Sequence, residues 1–234
     1  MKGNTEYGGN QVDTKILKLL EGTALFHGLT SDMISNVLGC LGAKTLSFQK
    51  DEFLLLADQS KPVLGVVLSG SIQIIKENIL GDRMIIGVVK EGELFAETYA
   101  AAGIDTIPVS IAAIKDSQVL YLDVHKIMMT CSKSCEFHHQ MTKNLLQIIA
   151  QKNMILNTKM QYLSHKTIRD RLDAYFLDQI QKNNSTTFTI PFTITQLADY
   201  LCVNRSALSR ELGNMQKEGL LEYRKKTFTY QVTP

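Results

Sequence analysis

The stretch that decides the fold is FTITQLADYLCVNRSALSRELGNMQKEGLL, which runs from Phe192 to Leu221. Its first apolar residues have the spacing of one side of a helix, and these are Leu197, Ala198 and Leu201. We expect this short helix to begin at Thr193 or Thr195. A tight turn follows, in which we expect Cys202 to be a buried apolar plug.

A second helix is predicted directly after the turn, because Asn204 belongs to the residue types that cap helix N-termini. The residues at helical spacing on its buried side are Leu208, Leu212 and Met215. The residues on its opposite side are Arg205, Ser206, Ser209 and Arg210. Arginine offers paired donors to guanine in the major groove, and serine hydroxyls and helix-start amides suit phosphate oxygens. The two helices therefore predict a DNA-binding helix-turn-helix.

The residues after the second helix favour this interpretation. Leu220 to Tyr230 alternates around the basic turn Arg224-Lys225-Lys226, which predicts a hairpin that lies along the DNA backbone as a wing. The alternative is a cluster of three helices with a solvated arginine side, and a basic hairpin directly downstream counts against it. Upstream, the pattern predicts a helix at Thr167–Gln181 and a short strand at Phe188–Pro191.

Residues 136–164 have a coiled-coil period that no glycine or proline interrupts. The seam positions are Leu146, Ile149, Asn153, Leu156, Met160 and Leu163. At 1.5 Å per residue such a helix is about 40 Å long. A second apolar stripe consists of Leu145, Ile148 and Ile155, and we expect it to pack on the preceding β-domain.

The seam has two interpretations, an intramolecular core and a two-fold dimer contact. We favour the dimer, because the helix follows a complete β-domain and has few other surfaces to cover. Asn153 supports this choice, since one polar residue in a seam commonly specifies register and partner number.

Residues 45–125 predict a succession of short strands. The apolar runs are Val63–Leu68, Ile72–Ile75, Met84–Val89, Val109–Ile114 and Val119–Leu122. Glycine and aspartate residues separate them at a spacing typical of a sandwich or barrel rather than of βαβ units. Two helices, Asp13–Leu20 and Ser31–Leu41, are expected to pack on one end of this barrel.

Composition excludes several classes of protein. The chain has 234 residues, and its apolar share of 44% with 21% charged residues is that of a globular protein with a core. It contains no apolar run long enough for a membrane-spanning helix, and its first residues, MKGNTEYGGNQVD, lack the order of a secretory signal. The four cysteines, at positions 40, 131, 135 and 202, are too irregular for a disulfide scaffold. We therefore expect a cytoplasmic protein.

The charge is distributed unevenly along the chain. Residues 1–164 carry 15 basic and 16 acidic residues, whereas residues 165–234 carry 10 and 7. The small positive excess lies where a nucleic-acid partner would need it.

Enzyme motifs are missing from the sequence. It has neither a P-loop nor a serine-centred elbow, and Glu91, Glu93 and Glu97 have the spacing of a strand-to-helix turn rather than of an acid–base pair. We expect no catalytic activity.

Cysteine and histidine residues leave a second sensor hypothesis open. On a helix, Cys131 shares a face with Cys135, and Cys135 shares one with His139, beside His138. Thiolates and imidazoles at this spacing suit zinc, iron or haem. Structural zinc sites more often begin with Cys-x-x-Cys, so we predict small apolar or surface roles and no metal site. A haem or thiol-redox sensor is the alternative.

The chain resembles the CRP/FNR superfamily of bacterial transcription regulators over nearly all of its length. The resemblance rests on GVVLSGSIQII at 65–75, GDR at 81–83, GELFAE at 92–97, the long helix and the segment TQLADYLCVNRSALSRELGNMQKEGLL. It implies an α+β fold with an N-terminal antiparallel β-roll of the cyclic-nucleotide-binding type, a long dimerisation helix and a C-terminal winged helix-turn-helix. The domains implied are 1–130 for effector sensing, 131–164 for dimerisation and 165–234 for DNA binding.

The resemblance also implies partners and DNA-contacting residues. The partners are a second copy of the chain, double-stranded DNA with a two-fold symmetric operator, and RNA polymerase. Arg205 and Arg210 match positions from which cyclic-AMP-responsive members read bases, whereas Ser206 replaces a glutamate, which implies a different operator. The expected DNA-binding residues are Thr195, Gln196, Asn204, Arg205, Ser206, Ser209, Arg210, Arg224, Lys225 and Lys226.

The effector implied by the resemblance is not cyclic AMP. Members that bind it hold its phosphate with an arginine after the short helix, and the corresponding stretch here, Gly103–Ser110, has no arginine or lysine. The cysteine cluster of FNR-type members is also missing from the N-terminus. The residues expected to line an effector site are Gly92, Glu93, Glu97, Thr98, Thr106, Ser110, Lys152 and Asn153. A sensor that acts through a protein partner is a further alternative.

Overall fold

The structure, a computed structural model, describes residues 5–6, 13–77, 83–129 and 136–231. The chain divides into two compact units, Met1–Ala150 and Gln151–Pro234, and the division falls within the long helix. Each unit is described separately below.

The first unit contains antiparallel strands and short helices. In chain order they are β1 (Thr5–Glu6), α1 (Thr14–Glu21), α2 (Ser31–Cys40), β2 (Lys44–Phe48), β3 (Phe53–Leu55), β4 (Leu64–Ser69), β5 (Ser71–Glu77), β6 (Arg83–Lys90), β7 (Leu94–Phe95), α3 (Glu97–Ala102), β8 (Ser110–Ala113), β9 (Ser117–Leu122) and α4 (Val124–Met128). In the described part of the unit, one sheet has the order β1-β2-β9-β4-β7 and a second has the order β3-β8-β5-β6. The predicted strands and the two N-terminal helices are confirmed.

The two faces of the sheet that contains β9 pack into two different apolar clusters. Successive side chains of a strand point to opposite faces. Val119 belongs to an apolar cluster that draws residues from both sheets, whereas Leu120 and Leu122 belong to a second cluster with α1 and α2. The sheet that contains β9 is therefore covered on both faces, and α1 and α2 pack on one of these faces rather than on the predicted end of a barrel.

A close backbone approach in this sheet requires a glycine. Gly65 on β4 pairs with Phe95 on β7, and a Cβ added to Gly65 would lie 2.1 Å from the Phe95 ring. No side chain fits at this distance without displacing the buried ring, so Gly65 allows Phe95 to fill the core between the sheets.

The long helix α5 (Glu136–Ser164) has the predicted bounds. Met141, Leu145 and Ile148 are buried in the cluster with α1 and α2, which confirms the packing of Leu145 and Ile148 on the first unit. Ile155 belongs to the second unit, and its packing on the β-domain stays a prediction.

The second unit contains the end of α5 and a compact domain. Its further elements are α6 (Ile168–Asn183), β10 (Thr187–Thr189), α7 (Ile194–Tyr200), α8 (Arg205–Lys217), β11 (Leu221–Arg224) and β12 (Thr227–Tyr230). The three strands form an antiparallel sheet with the order β10-β12-β11. The core draws Phe176, Leu197, Leu208 and Phe228 from four of these elements.

The observed elements confirm the predicted fold class of β-roll, long helix and winged helix-turn-helix. In the described ranges, no helix combines the length and the apolar character needed to cross a membrane.

Candidate nucleic-acid interface

Helix α7 begins with a reciprocal cap. The amide of Gln196 donates to the Thr193 hydroxyl at 3.3 Å, and the amide of Thr193 donates to the Gln196 side chain at 2.9 Å. This capping box satisfies two amides that the helix itself leaves unpaired. Of the two predicted starts, Thr193 is therefore correct, and Thr195 lies exposed in the first turn.

The turn between α7 and α8 corrects one prediction. Leu201, and not Cys202, is the buried plug, since Leu201 is fully buried and Cys202 is exposed. The physical reason is the backbone at Cys202, which has a φ of 53° and lies in the left-handed region. From α6, Nη1 of Arg171 donates to the carbonyl of Leu201 at 3.0 Å and holds the end of α7.

Helix α8 is capped by Asn204, as predicted. Its Oδ1 accepts from the amides of Ser206 at 2.9 Å and Ala207 at 3.3 Å, and from the Ser206 hydroxyl at 2.5 Å. The side chain of Asn204 therefore acts as the N-terminal cap of α8. The hydroxyl of Ser206 is likewise oriented by this cap, at the N-terminal turn where the helix dipole favours an anion.

The two sides of α8 are separated as predicted. Leu208, Leu212 and Met215 are completely buried in the core of the unit. Arg205, Ser206, Ser209 and Arg210 are all exposed. Within the described residues, neither the Arg205 nor the Arg210 guanidinium has a hydrogen bond or an ion pair. This side of α8 is thus a polar surface with two unneutralised arginines.

An ion-pair network that the sequence did not reveal holds the other end of α8. From α6, Arg169 Nε donates to Glu211 at 2.6 Å, and Nη1 and Nη2 donate to Glu218 at 2.5 and 2.8 Å. The hydrogen bonds from Arg169 lower the pKa of Glu218, and the two glutamates in turn raise the pKa of Arg169. Bidentate pairing of this kind specifies geometry as well as adding energy.

The predicted wing is the hairpin of β11 and β12. Arg224 ends β11, and Lys225 has a φ of 57° in the turn that follows. Arg224, Lys225 and Lys226 are all exposed. The ammonium of Lys226 donates to the carbonyl of Pro191 at 2.8 Å, which ties the hairpin to the segment before α7.

Two tyrosines attach further elements to α6. The hydroxyl of Tyr162, in the last turn of α5, donates to Asp178 at 2.6 Å, and that of Tyr230, on β12, donates to Asp173 at 2.7 Å. Burial, together with the hydrogen bond to Asp173, raises the pKa of Tyr230 to about 12. The long helix and the wing are therefore both fastened to α6, which also carries Arg169 and Arg171.

Family comparisons identify both parts of the chain. A Crp-like helix-turn-helix domain model matches residues 170–231, and a cyclic nucleotide-binding domain model matches residues 45–134. The first match contains α7, α8 and the wing, and the second contains the two sheets except for β1 and the first residue of β2. The chain belongs to the CRP/FNR superfamily.

Individual relatives of this CRP/FNR member are distant or match only in part. The probable transcriptional regulator flp of Lacticaseibacillus casei is 36% identical over 83 residues, which are 36% of this chain and 38% of that regulator's length. The catabolite activator protein of Thermus thermophilus is 19% identical, with a TM-score of 0.53, over 89% of this chain and 94% of that one. A CooA mutant from Carboxydothermus hydrogenoformans is 17% identical, with a TM-score of 0.56, over 95% and 94%. These two structures share the fold with this chain.

The structure of this CRP/FNR member separates its predicted effector residues. Glu97 is buried, Ser110 is half-buried and accepts from the amide of Ala57 at 3.1 Å, and Thr98 and Thr106 are exposed. Lys152 and Asn153 belong to the second unit. The role of all these residues as effector contacts stays a prediction.

Gly92 and Glu93 have a structural task in the turn before β7. The amide of Gly92 donates to the carbonyl of Val67 at 2.8 Å, and the Glu93 carboxylate accepts from the amide of Lys90 at 2.8 Å. Both residues therefore hold the turn together, whether or not an effector contacts them.

The cysteine–histidine hypothesis is only partly covered by the structure. Cys131 and Cys135 lie outside the described residues. His138 is 5% exposed, and its Nδ1 has no hydrogen-bond partner among the described groups, whereas His139 is exposed. The described residues contain no group of three or more potential metal ligands in reach of one ion.

The predicted seam of α5 is mostly exposed in the single chain. Leu146, Leu156 and Met160 are 67%, 60% and 67% exposed. Asn153 is exposed and accepts a hydrogen bond from Asn157 at 2.7 Å, while Ile149 and Leu163 are half-buried. These side chains form an apolar stripe that the described part of the chain leaves uncovered.

Proposed function

We propose that this CRP/FNR member is a homodimeric transcription regulator that reads a two-fold symmetric DNA operator with α8. The observation that carries the proposal is the division of α8 into a buried apolar side and an exposed side with Arg205 and Arg210. A helix held in this way fits the major groove, whose width of about 12 Å admits one helix.

The contacts divide by chemistry into those that read bases and those that position the helix. Arg205 and Arg210 read guanine edges, because a guanidinium donates to O6 and N7 together. Ser209 donates to phosphate oxygens, and Thr195 and Gln196 do the same at the start of α7. The Ser206 hydroxyl and the amides of Ser206 and Ala207 are bound to the Asn204 cap instead. Arg224, Lys225 and Lys226 lie along the backbone of the flanking DNA.

Dimerisation through α5 supplies the two-fold symmetry. Leu146, Leu156 and Met160 form an exposed apolar stripe. Removing apolar surface from water is favourable by roughly 25 cal/mol per Å². A second copy covers the same stripe isologously. The two α8 helices then enter successive major grooves, about 34–36 Å apart.

The effector is not cyclic AMP. The stretch Gly103–Ser110 offers no cation for a phosphate, and Ile107 within it is completely buried among apolar side chains. An anionic phosphate placed there would lose its hydration without a compensating charge. Such a regulator works in the cytoplasm with RNA polymerase as its further partner, and it is not an enzyme.

Selection from a random duplex library by the purified full-length chain tests the proposal. We expect a palindromic site with half-sites one helical turn apart to be enriched, and the double variant Arg205→Ala/Arg210→Ala to enrich no site. Lys50→Ala/Lys115→Ala, which removes two exposed lysines of the first unit, is the matched charge control and should enrich the wild-type site.

Two results would contradict the proposal. Enrichment of a non-symmetric site would contradict the proposal that a two-fold symmetric dimer binds the DNA. Failure of the wild-type chain to enrich any sequence, with folding verified by circular dichroism, would favour a sensor that acts through a protein partner.

A further inference from the structure

The first unit contains a cavity of about 910 Å³ whose lining includes none of the predicted effector residues. It is bounded by β2, β3 and β9, by the segment that leads into β4, by the residues after α3 and by the start of α4. Its size is in the range of small-molecule sites, which is about 300–1,000 Å³.

The walls of the cavity are largely apolar. The principal apolar lining residues are Leu46, Phe48, Phe53, Leu55, Val63 and Ile104. Phe53 and Ile104 are each 39% exposed. An apolar guest in the cavity would remove both from water.

A buried hydroxyl group lies within this apolar lining. Tyr121 packs edge-on against Phe48 and Phe95, with ring centroids 6.5 and 6.0 Å away. Among the described residues its hydroxyl has no hydrogen-bond partner, although it is removed from water. Burial raises the pKa of Tyr121 above its ordinary value, so the group is a protonated donor at neutral pH. The hydroxyl is thus closed off from the cavity, and Tyr121 contributes to the wall through its ring.

The charged lining residues carry a small positive excess. Three lysines, Lys44, Lys61 and Lys126, line the cavity together with two acids, Asp105 and Asp123. The carboxylate of Asp123 accepts from the amide of His125 at 2.9 Å and caps α4. Within the described ranges, Lys61 and Lys126 have no ion pair or hydrogen bond.

The ammonium of Lys126 has a defined position. It lies over Gly42, where a Cβ added to the glycine would be 2.8 Å from Nζ. The lining contains no arginine, so it lacks planar paired donors for either a carboxylate or a phosphate. Its cations are lysine ammonium groups, which act as point charges and pair with the single negative charge of a carboxylate.

We infer that this cavity binds an amphipathic organic carboxylate. The apolar body of the ligand packs on Phe48, Phe53 and Ile104, and the ammonium groups of Lys61 and Lys126 pair with its carboxylate. The inference concerns the first unit alone and does not depend on DNA binding by α8.

Direct titration of the full-length chain with sodium decanoate tests the inference. The chain contains no tryptophan, so Phe53→Trp places a single fluorescent reporter at the cavity. Isothermal titration of the wild-type chain gives the same measurement without the substitution. We expect saturable binding of one decanoate per chain, at least tenfold tighter than binding of decylamine, which has the same tail and the opposite charge.

Variants assign the roles of individual groups. Lys61→Met and Lys126→Met should each weaken decanoate binding at least threefold and leave decanol binding unchanged, whereas Lys115→Met, an exposed lysine outside the cavity, should have no effect. Tyr121→Phe, which removes a hydroxyl closed off from the cavity, should leave decanoate binding unchanged. Equal binding of decanoate and decylamine, no saturable binding of decanoate, or full affinity in both the Lys61 and Lys126 variants would overturn the inference. Because no step uses DNA, this result is separate from that of the library selection.

Discussion

Arg169 on α6 holds Glu218, the residue that follows α8, through two parallel hydrogen bonds of 2.5 and 2.8 Å. The same guanidinium reaches Glu211 at 2.6 Å, about two helical turns earlier. One side chain therefore fixes the DNA-reading helix against α6 at two points along its length.

This pair predicts a contribution to stability that acid removes. The hydrogen bonds from Arg169 lower the pKa of Glu218 below its ordinary value of 4.5. A lowered pKa in the folded state contributes stability above the ordinary value, and the contribution is lost as the pH falls through the lowered one. We expect Glu218→Gln to reduce the loss of stability between neutral pH and about pH 3, measured as urea midpoints. Glu222→Gln, an exposed acid on β11, is the control, and identical pH profiles for Glu218→Gln and wild type would contradict the linkage.

Asn204 allows helix capping to be separated from DNA contact. Asn204→Ala removes the acceptor for the Ser206 and Ala207 amides and should destabilise the chain by about 0.5–2 kcal/mol. Asn204→Asp keeps the acceptor, so stability in urea should be retained, but the added negative charge should weaken DNA binding. Wild-type DNA affinity in Asn204→Asp would mean that the cap lies away from the duplex.

Arg205 and Arg210 are expected to contribute sequence discrimination. Arg205→Ala and Arg210→Ala should each weaken binding to the selected operator by about 1–3 kcal/mol and relax one base position. Binding titrations on the operator and on its single-base variants measure this. An equal loss on random and selected DNA would assign these arginines to phosphate contact instead.

Lys225 is expected to act differently, because it lies in the exposed turn of the wing. Lys225→Ala should weaken binding to all sequences and reduce the slope of log affinity against log salt by about one. The measurement is a salt series on selected and random duplexes. An unchanged slope would place the wing away from the DNA backbone.

Asn153 is expected to influence how two copies associate. Asn153→Leu makes the exposed stripe of α5 continuously apolar and should strengthen association or change the number of partners. Sedimentation equilibrium measures the outcome, with Gln151→Leu, an exposed neighbour outside the seam, as the control. Unchanged assembly in Asn153→Leu would show that this residue does not specify the seam.

The helix-turn-helix could be predicted because its signals are local. Leu208, Leu212 and Met215 recur at helical spacing, and Asn204 is a favourable cap directly before them. The capping box of Thr193 and Gln196 is equally local, since the pattern needs only residues three apart. This capping-box pattern selects Thr193 over Thr195 as the start of α7.

Cys202 shows where local pattern failed. An apolar residue type in a tight turn suggests burial, but the left-handed backbone at Cys202 leaves this residue exposed and Leu201 buried. The handedness of a single turn residue is set by the packing of the helices on either side. Residue type alone did not indicate it.

The network of Arg169 could not be predicted because its partners are 42 and 49 residues away in the sequence. The cavity around Tyr121 has the same origin, since β2, β3 and β9 meet only after the sheets have paired. Spacing identifies which side of a helix or strand is apolar, whereas such contacts depend on the whole topology.

Four side chains of α6 reach four different neighbours: Arg169 holds α8, Arg171 the end of α7, Asp173 the wing and Asp178 the last turn of α5. These bonds attach α8, the end of α7, the wing and the last turn of α5 to one helix. A substitution that displaced α6 would therefore disturb all elements of the proposed DNA-contacting surface together.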